Sequence, residues 1–103
     1  MKIDDVDERE LIPGTRVRFI HSDRMTVAHW HFDPGIDLPK HSHPHDQITN
    51  VLEGEFELTV DGVPEILSAG HYRVIPPDVL HSGRSITACK IIDAFSPVRD
   101  DYR

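Results

Sequence analysis

Residues 35–54 read GIDLPKHSHPHDQITNVLEG, and this glycine-bounded stretch is the most informative part of the chain. A His-x-His pair, His41 and His43, on an extended segment points both imidazoles to the same side, where they can chelate one ion. Gln47 follows four residues later, where a turn into the next strand could present its amide oxygen to the same ion. The stretch therefore predicts part of a metal site.

A second stretch, residues 70–81, reads GHYRVIPPDVLH and ends in another histidine. A run of strands between the two stretches can bring His81 back to the first set. Imidazole nitrogens and an amide oxygen suit zinc, nickel, iron or manganese. We therefore predict one divalent transition metal ion held by His41, His43, Gln47 and His81. All four ligands are uncharged, so the ion would keep its full charge, attract an anionic substrate and act as a strong Lewis acid.

The chain contains eight histidines, so other positions compete for this role. His29 and His31 form a second His-x-His pair, but this pair lacks the flanking glycine and glutamine of the first. The alternation of a strand accounts for its spacing, because Ala28, Trp30 and Phe32 are apolar on the opposite face. We expect these two residues to line a barrel or to lie on its surface. His45 is either a contact of the ligand or substrate or a solvated loop residue. Of the two remaining histidines, we expect His71 to be structural or exposed and His21 to be exposed.

The composition bounds the class of protein. With 103 residues the chain has room for one domain and one modest core. A net charge of −7 argues against a nucleic-acid surface, which needs clustered Lys and Arg. No apolar run approaches the roughly 20 residues of a membrane span, and the acidic start does not suit a signal or transit peptide. The one cysteine, Cys89, cannot form an intrachain disulfide, which favours a cytoplasmic location.

Short β-rich runs separated by Gly and Pro dominate from residue 15 onward, and only residues 4–11 show a possible helical turn. The Asp61-Gly62 pair is a hairpin signal, because both central positions of such a turn need positive φ. The expected strands are 16–21, 25–33, 48–52, 55–60, 65–68, 71–75, 81–83 and 87–95. This pattern predicts an all-β fold, a barrel or a jelly roll.

One domain covering 1–103 is the simplest organisation, with an N-terminal arm at 1–14, a barrel at 15–95 and a C-terminal tail at 96–103. Strand alternation also assigns faces. Within residues 55–60 the even-numbered side chains should be buried and the odd-numbered ones solvated. Near the C-terminus Asp93 shares a face with Ile91 and Phe95. An acidic residue between two large apolar ones requires an explanation.

The two stretches resemble the paired motifs of the cupin superfamily. Members of this superfamily are β-barrels that hold a metal at the open end of the barrel. The first motif matches in full if Gln47 replaces the usual glutamate, and the second matches through its glycine, its first proline and His81. It departs from the pattern where Asp78 replaces a glycine and Ser85 an asparagine, which affects a turn and a strand start. The resemblance implies a small single-domain cupin, a double-stranded β-helix or jelly-roll barrel.

A closer similarity links the chain to the KdgF family of pectin-degradation cupins. It rests on residues 93–102, which read DAFSPVRDDY, on the Glu-Gly-Glu-Phe hairpin at 53–56, and on Gln47. The similarity extends over nearly the whole chain, residues 14–102. It implies an enzyme that linearises 4,5-unsaturated uronate monosaccharides, the products of pectin or alginate lyases, to 5-keto-4-deoxyuronates.

By position, the same resemblance implies that Asp93, Phe95 and Arg99 are substrate and catalytic residues. The chemistry agrees, because ring opening needs a Lewis acid, a proton-transfer group and a cation for the C6 carboxylate. A partly desolvated Asp93 suits proton transfer, Arg99 offers a bidentate fork, and Phe95 could pack on the sugar. Structural alternatives are an Asp93 paired with a buried cation, a solvated Arg99 and a Phe95 in the core.

Two other functions compete with this one. The first is a different metal cupin enzyme, such as an iron dioxygenase or another sugar isomerase. The second is a non-catalytic cupin that binds a sugar acid. In each case the expected partner is a small acidic molecule, with no nucleic acid and no membrane. The resemblance also implies a homodimer.

Overall fold

The computed structural model describes residues 1–103 and confirms the all-β prediction. Nine strands account for most of the ordered backbone, and the only helices are two single 3-10 turns. The strands are β1 Thr15–His21, β2 Thr26–Phe32, β3 Asp37–His41, β4 Asp46–Glu53, β5 Glu55–Val60, β6 Val63–Ser68, β7 Tyr72–Ile75, β8 His81–Ser85 and β9 Cys89–Ser96.

Two antiparallel sheets face each other. The first has five strands in the order β1-β2-β9-β4-β7, and the second has four in the order β3-β8-β5-β6. The pairs β1–β2 and β5–β6 are hairpins within one sheet, and every other connection passes from one sheet to the other, as in a jelly roll. The inner faces enclose one cluster of 14 buried hydrophobic residues, which is the core.

Strand alternation builds this core as expected. In β5 the side chains of Phe56, Leu58 and Val60 are buried, whereas the residues between them are half-buried or exposed. The ring of Phe32, on β2, lies 5.3 Å from that of Phe56, so aromatic contacts join the two sheets. Each large side chain buried here contributes about 1.5–3 kcal/mol to folding.

The turns follow the predicted chemistry. Asp61 and Gly62 have φ values of 50° and 78°, as the hairpin signal requires. Asp78, which replaces the glycine of the second motif, also has a positive φ of 65°. Aspartate is among the few residues that tolerate this region. Its N–H donates to the carbonyl oxygen of His43 at 2.8 Å, so the second motif's turn is tied to the first motif's loop.

Ser85, the other departure from the motif, has a structural role. It is fully buried, and its hydroxyl donates to the carbonyl oxygen of Asp33 at 2.6 Å and accepts from the N–H of Ile36 at 2.9 Å. These two bonds tie the loop before β3 to the end of β8. The serine therefore keeps the strand that carries His41 in place.

One strand was not predicted from the sequence. β3 contains Pro39, which normally argues against a strand, and it has no clear alternation of buried and exposed residues. It is an edge strand, where a missing N–H costs least, and its pairing with β8 shifts register between Leu38 and His41.

The predicted helical turn at residues 4–11 was too long. The structure has only a 3-10 turn at Ile3–Asp5, after which the arm is extended enough for Arg9 to bridge with Val17. A second 3-10 turn covers Asp100–Tyr102. Neither is long or apolar enough to cross a membrane.

Candidate functional site

A cavity of about 260 Å³ opens between the two sheets at one end of the barrel. Its wall is largely apolar and includes Trp30, Leu58 and Ile91. All seven side chains predicted as site residues also line it, namely His41, His43, Gln47, His81, Asp93, Phe95 and Arg99. The polar groups therefore converge on one pocket with apolar surroundings, the usual form of a ligand site.

Three of these residues form a compact imidazole cluster, namely His41, His43 and His81. Their ligand atoms all lie within 4.8 Å of one another, and the His41 and His81 ring centroids are 4.2 Å apart. His41 ends β3 and pairs in register with His81, which begins β8. His43 lies in the loop after β3, so this loop, and not the alternation of one extended segment, brings the second imidazole to the cluster.

Backbone carbonyls orient two of the imidazoles. The Nδ1 atom of His41 lies 2.7 Å from the Pro39 oxygen, and that of His81 lies 2.9 Å from the Val79 oxygen. A carbonyl only accepts, so each Nδ1 carries the hydrogen and each Nε2 keeps its lone pair for a metal. The buried Nε2 of His81 has no hydrogen-bond partner. This orphaned acceptor fits a metal ligand.

Gln47 is buried, and its amide is held at both ends. Its Oε1 lies 3.0 Å from the Nε2 of His43, and its Nε2 donates to the Thr49 hydroxyl at 3.0 Å. Thr49 in turn donates to Asp93 at 2.7 Å. An ionised carboxylate can only accept, so this order of donors keeps the Gln47 oxygen on the histidine side. Two atoms each about 2.1 Å from one ion can be about 3 Å apart, so the pair fits joint ligation.

Two of the histidines, His43 and His81, are held in the neutral form that metal binding needs. Burial, helped by the charges of Arg99 and His81, lowers the pKa of His43 to about 4. Burial also lowers the pKa of His81, against the effect of its bond to Val79. Both rings therefore offer lone pairs near neutral pH.

Asp93 lies within the barrel on β9, on the same face as Ile91 and Phe95, as the alternation predicted. Burial raises its pKa to about 6, although the hydrogen bonds from Thr49 and Gln47 act in the opposite direction. It forms no salt bridge with a lysine or arginine, and the only cation lining the cavity is Arg99. The alternative of a structural ion pair is therefore not what the structure shows.

Arg99 is not a solvated tail residue, because only 6% of it is exposed. Its backbone N–H donates to the Thr26 hydroxyl at 2.8 Å, which anchors the tail to β2. Its guanidinium contacts two rings, 4.8 Å from the centroid of Phe95 and 4.2 Å from that of Tyr102. Asp101 already occupies part of the fork, a contact that the sequence did not predict.

Three residues of the site escaped the sequence analysis. Thr49 had a usable signal, because it shares the inward face of β4 with Gln47. Asp101 and Tyr102 had none, since they follow Arg99 in a polar tail whose fold depends on contacts with Thr26 and with Phe19.

The remaining histidines lie outside the cluster. His29 and His31 lie on the face of β2 opposite the buried Trp30, so they are on the outer surface and do not line the cavity. The ring of His45 is 5.4 Å from that of His43, but His45 is not part of the cavity wall.

His71 was expected to be structural or exposed, and His21 to be exposed. His71 is exposed and its Nδ1 accepts from the Ser68 N–H at 3.0 Å. His21 is only half-buried, and its Nδ1 lies 2.8 Å from the Thr26 hydroxyl, so the expectation of an exposed residue was wrong there.

Comparisons with known proteins agree with the fold. Residues 28–95 match the family model described as Cupin domain. The pectin degradation protein KdgF of Dickeya dadantii (strain 3937) is 32% identical over 102 residues, covering 96% of this chain and 93% of that protein.

Two solved structures are similar over almost the whole chain. A RmlC-like cupin from Shewanella frigidimarina NCIMB 400 has a TM-score of 0.92 and 32% identity, covering 97% of this chain and 91% of its own. KdgF from Halomonas sp. has a TM-score of 0.91 and 31% identity, covering 97% and 94%.

Proposed function

This chain belongs to the cupin domain family and, within it, groups with the pectin degradation protein KdgF, and on that premise we propose that it opens the ring of 4,5-unsaturated uronate monosaccharides. The product would be a 5-keto-4-deoxyuronate, and the reaction would belong to the breakdown of pectin or alginate. The observation that carries the proposal is the convergence of three imidazoles, one carboxylate and one guanidinium on a single cavity.

The size and lining of the cavity support a single sugar ring as the substrate. Its volume of about 260 Å³ lies just below the range for drug-sized ligands, roughly 300–1,000 Å³. An oligosaccharide would not fit inside it. The apolar wall suits a ring face, and Arg99 suits a carboxylate at one end.

The reaction requires a proton to move between two atoms of the sugar. The C1 hydroxyl gives its proton to a base as the bond from C1 to the ring oxygen breaks, so that C1 becomes an aldehyde and the ring oxygen leaves as an enolate. The enolate becomes a ketone when C4 gains that proton from the same group. Asp93 is the group that we assign to this transfer, because it lies within the cavity with its carboxylate held by Thr49.

The other residues bind and orient the substrate. Arg99 would hold the C6 carboxylate, and Phe95, whose ring lies beneath the guanidinium, would support it and contact the sugar. A divalent ion bound by His41, His43, Gln47 and His81 would supply a Lewis acid for the sugar oxygens. The identity of that ion is left open by the donor set.

The proposal is tested by an assay and a metal analysis on the same preparation. Purified protein should contain about one transition metal ion per chain, and it should abolish the absorbance of unsaturated galacturonate prepared with a pectin lyase and a hydrolase. Thorough chelation should remove both metal and activity, and adding metal back should restore them. An equally active metal-free protein would contradict the proposal, and oxygen uptake would favour a dioxygenase.

The role of Asp93 is tested by Asp93→Ala. We expect the loss of ring opening with unchanged metal content, because Asp93 is not among the proposed ligands. The control is Glu53→Ala, which changes an exposed carboxylate at the opposite end of β4 from Gln47, paired only with the exposed Lys90, and should keep full activity. An active Asp93→Ala variant would remove this residue from the mechanism.

We also propose a cytoplasmic homodimer. The free cysteine, Cys89, is buried and forms no disulfide, which fits a reducing compartment. The dimer would use the outer face of the five-stranded sheet, because an apolar row crosses all five of its strands.

A further inference from the structure

Asp101 forms a two-point contact with Arg99 at the rim of the cavity. The Nε of Arg99 donates to Oδ1 of Asp101 at 2.9 Å, and its Nη2 donates to Oδ2 at 2.7 Å. This parallel pair of charge-assisted bonds occupies one edge of the guanidinium. It is separate from the edge that includes Nη1.

The two partners differ in their exposure. The Arg99 side chain is 8% exposed, whereas that of Asp101 is 55% exposed. Arg99 lines the cavity and Asp101 does not. The carboxylate therefore lies on the solvent side of the guanidinium, and the two N–H groups of Nη1, which form no hydrogen bond within the chain, remain for a ligand.

Two aromatic rings also contact the guanidinium, and its Cζ lies 4.8 Å from the centroid of Phe95 and 4.2 Å from that of Tyr102. The ring centroids are 6.5 Å apart and the ring planes 69° apart, so the rings lie on adjacent sides of the group and do not enclose its two faces. These contacts alone leave the guanidinium free to turn about the bonds of its side chain. A bidentate carboxylate on one edge removes that freedom, so the fork has one orientation before any ligand arrives.

We propose that Asp101 is a positioning residue that holds the Nε–Nη2 edge of Arg99 so that the Nη1 end receives the carboxylate of the acidic sugar. This inference rests on the proposed function and adds a residue to it. Asp101 acts through Arg99 and does not touch the substrate.

The same contact allows an opposite role, which the experiment separates. If Asp101 were an internal competitor for the guanidinium, the substrate would have to displace it, and removing it would strengthen binding. If Asp101 positions the fork, removing it frees the guanidinium to rotate and weakens binding. The two roles predict changes in KM of opposite sign.

The test uses the full chain loaded with metal and unsaturated galacturonate as substrate. Asp101→Asn places an N–H donor against an N–H of Arg99, and Asp101→Ala removes the contact. For both variants we expect KM to rise about tenfold while kcat changes less than about threefold. Asp101→Glu keeps a carboxylate at this point and should recover most of the loss.

Asp100→Asn is the matched control. Asp100 is the neighbouring exposed carboxylate, 3.1 Å from the exposed Arg103, and its change should leave KM and the thermal midpoint unaltered. Thermal midpoints of all variants check that they are folded. If only one of Asp101→Asn and Asp101→Ala is folded, that variant alone suffices for the comparison of KM with wild type.

An unchanged or lower KM in the Asp101 variants, or a loss confined to kcat, would overturn the inference while leaving the proposed function intact. A wild-type chain that does not act on the unsaturated sugar would overturn the proposed function, and the inference with it. Failure of the inference is therefore seen in the Asp101 variants, and failure of the proposed function in the wild-type chain.

Discussion

Thr49 connects the two halves of the candidate site through one hydroxyl group. It accepts a hydrogen bond from the Gln47 amide and donates one to Asp93, so it orients a proposed metal ligand and the proposed proton-transfer group together. Groups of this kind commonly change metal affinity or activity by about 10–100-fold when they are removed.

Thr49→Val is the first prediction. The change keeps the shape of the side chain but removes the hydroxyl that accepts from the Gln47 amide and donates to the Asp93 carboxylate. We expect metal affinity to fall by about tenfold and the free energy of unfolding by about 1–3 kcal/mol. Metal competition titration and urea unfolding measure these quantities.

Two further variants complete that test. Thr49→Ser retains the hydroxyl and should stay close to wild type. Thr59→Val, on the outward face of β5, removes a hydroxyl that makes no hydrogen bond within the chain and should have little effect. Equal metal affinity in Thr49→Val and wild type would show that Gln47 needs no such support.

Two turns between consecutive strands each contain a glycine with a positive φ, but the two glycines differ in the space around them. Gly54 joins β4 to β5 with a φ of 84°, and an added β-carbon there would collide with the backbone carbonyl of Ala88. Gly62 joins β5 to β6 with a φ of 78°, and nothing lies near its missing side chain. The positive φ is strained for most other residues at both positions. Only Gly54 also lacks space for a β-carbon.

The second prediction compares Gly54→Ala with Gly62→Ala. Gly62→Ala should cost about 1 kcal/mol, the strain of the left-handed region alone. Gly54→Ala should cost at least about 2 kcal/mol more, because the backbone of two strands has to move. Urea unfolding of both variants measures the difference, and equal losses would contradict the role assigned to Ala88.

The C-terminal turn, Asp100–Tyr102, should make stability depend on pH. The hydrogen bonds from Arg99 hold the pKa of Asp101 below its ordinary value. A carboxyl group with a lowered folded pKa stabilises the protein above its unfolded pKa of about 3.9, and this contribution disappears as the pH falls through the folded pKa.

The third prediction follows from that sign. Asp101→Asn should lower the free energy of unfolding at pH 7 by no more than about 1 kcal/mol, because Asp101 is largely exposed and screened. The difference from wild type should vanish below the folded pKa. Unfolding curves at several pH values test it, with Asp100→Asn as the control, and a difference that persists at the lowest pH would contradict the ion-pair explanation.

The outer faces of the two sheets differ, and the difference concerns the whole molecule. One row of paired outward residues crosses all five strands of the first sheet, and every member is apolar: Ile20, Val27, Ala94, Ile48 and Val74. The outer face of the second sheet is instead rich in charged side chains, from Asp37 to Arg84 and Glu57.

The dimensions of this outer face suit a dimer built around its apolar row. Four strands of seven or eight residues and the four-residue β7, about 4.8 Å apart, cover somewhat less than about 24 by 24 Å. Side-chain relief brings this area toward the roughly 800 Å² per subunit that a standard interface buries. A second copy of the chain presents the same row to itself, as a two-fold axis requires.

The fourth prediction is that the chain sediments as a dimer and that Ile48→Lys makes it a monomer. A lysine in the middle of the row places an uncompensated charge in the interface. Ile66→Lys changes an equally exposed isoleucine on the other sheet and should leave the dimer intact. Analytical ultracentrifugation measures both, and a monomeric wild-type chain or a dimeric Ile48→Lys would exclude this face.

The fold and the predicted ligand set could be read from short-range patterns. Alternation along β5 depends only on the period of a strand, the Asp61-Gly62 turn only on two local φ angles, and the spacing of His41, His43 and Gln47 only on one loop. β3 could not be read in this way, because Pro39 is acceptable only at the edge of a sheet, and the order of strands is a property of the assembled fold.

Sequence alone therefore determined which residues are buried, where the chain turns and which side chains have the chemistry for a metal and an acidic sugar. Tertiary structure decided how those side chains are held: Thr49 between Gln47 and Asp93, and Asp101 on one edge of Arg99. It also decided that the apolar residues of five separate strands form one row. The physical reason is that periodicity and turn conformation are local, whereas strand register, which sets contacts between distant residues, is fixed only when the two sheets pack.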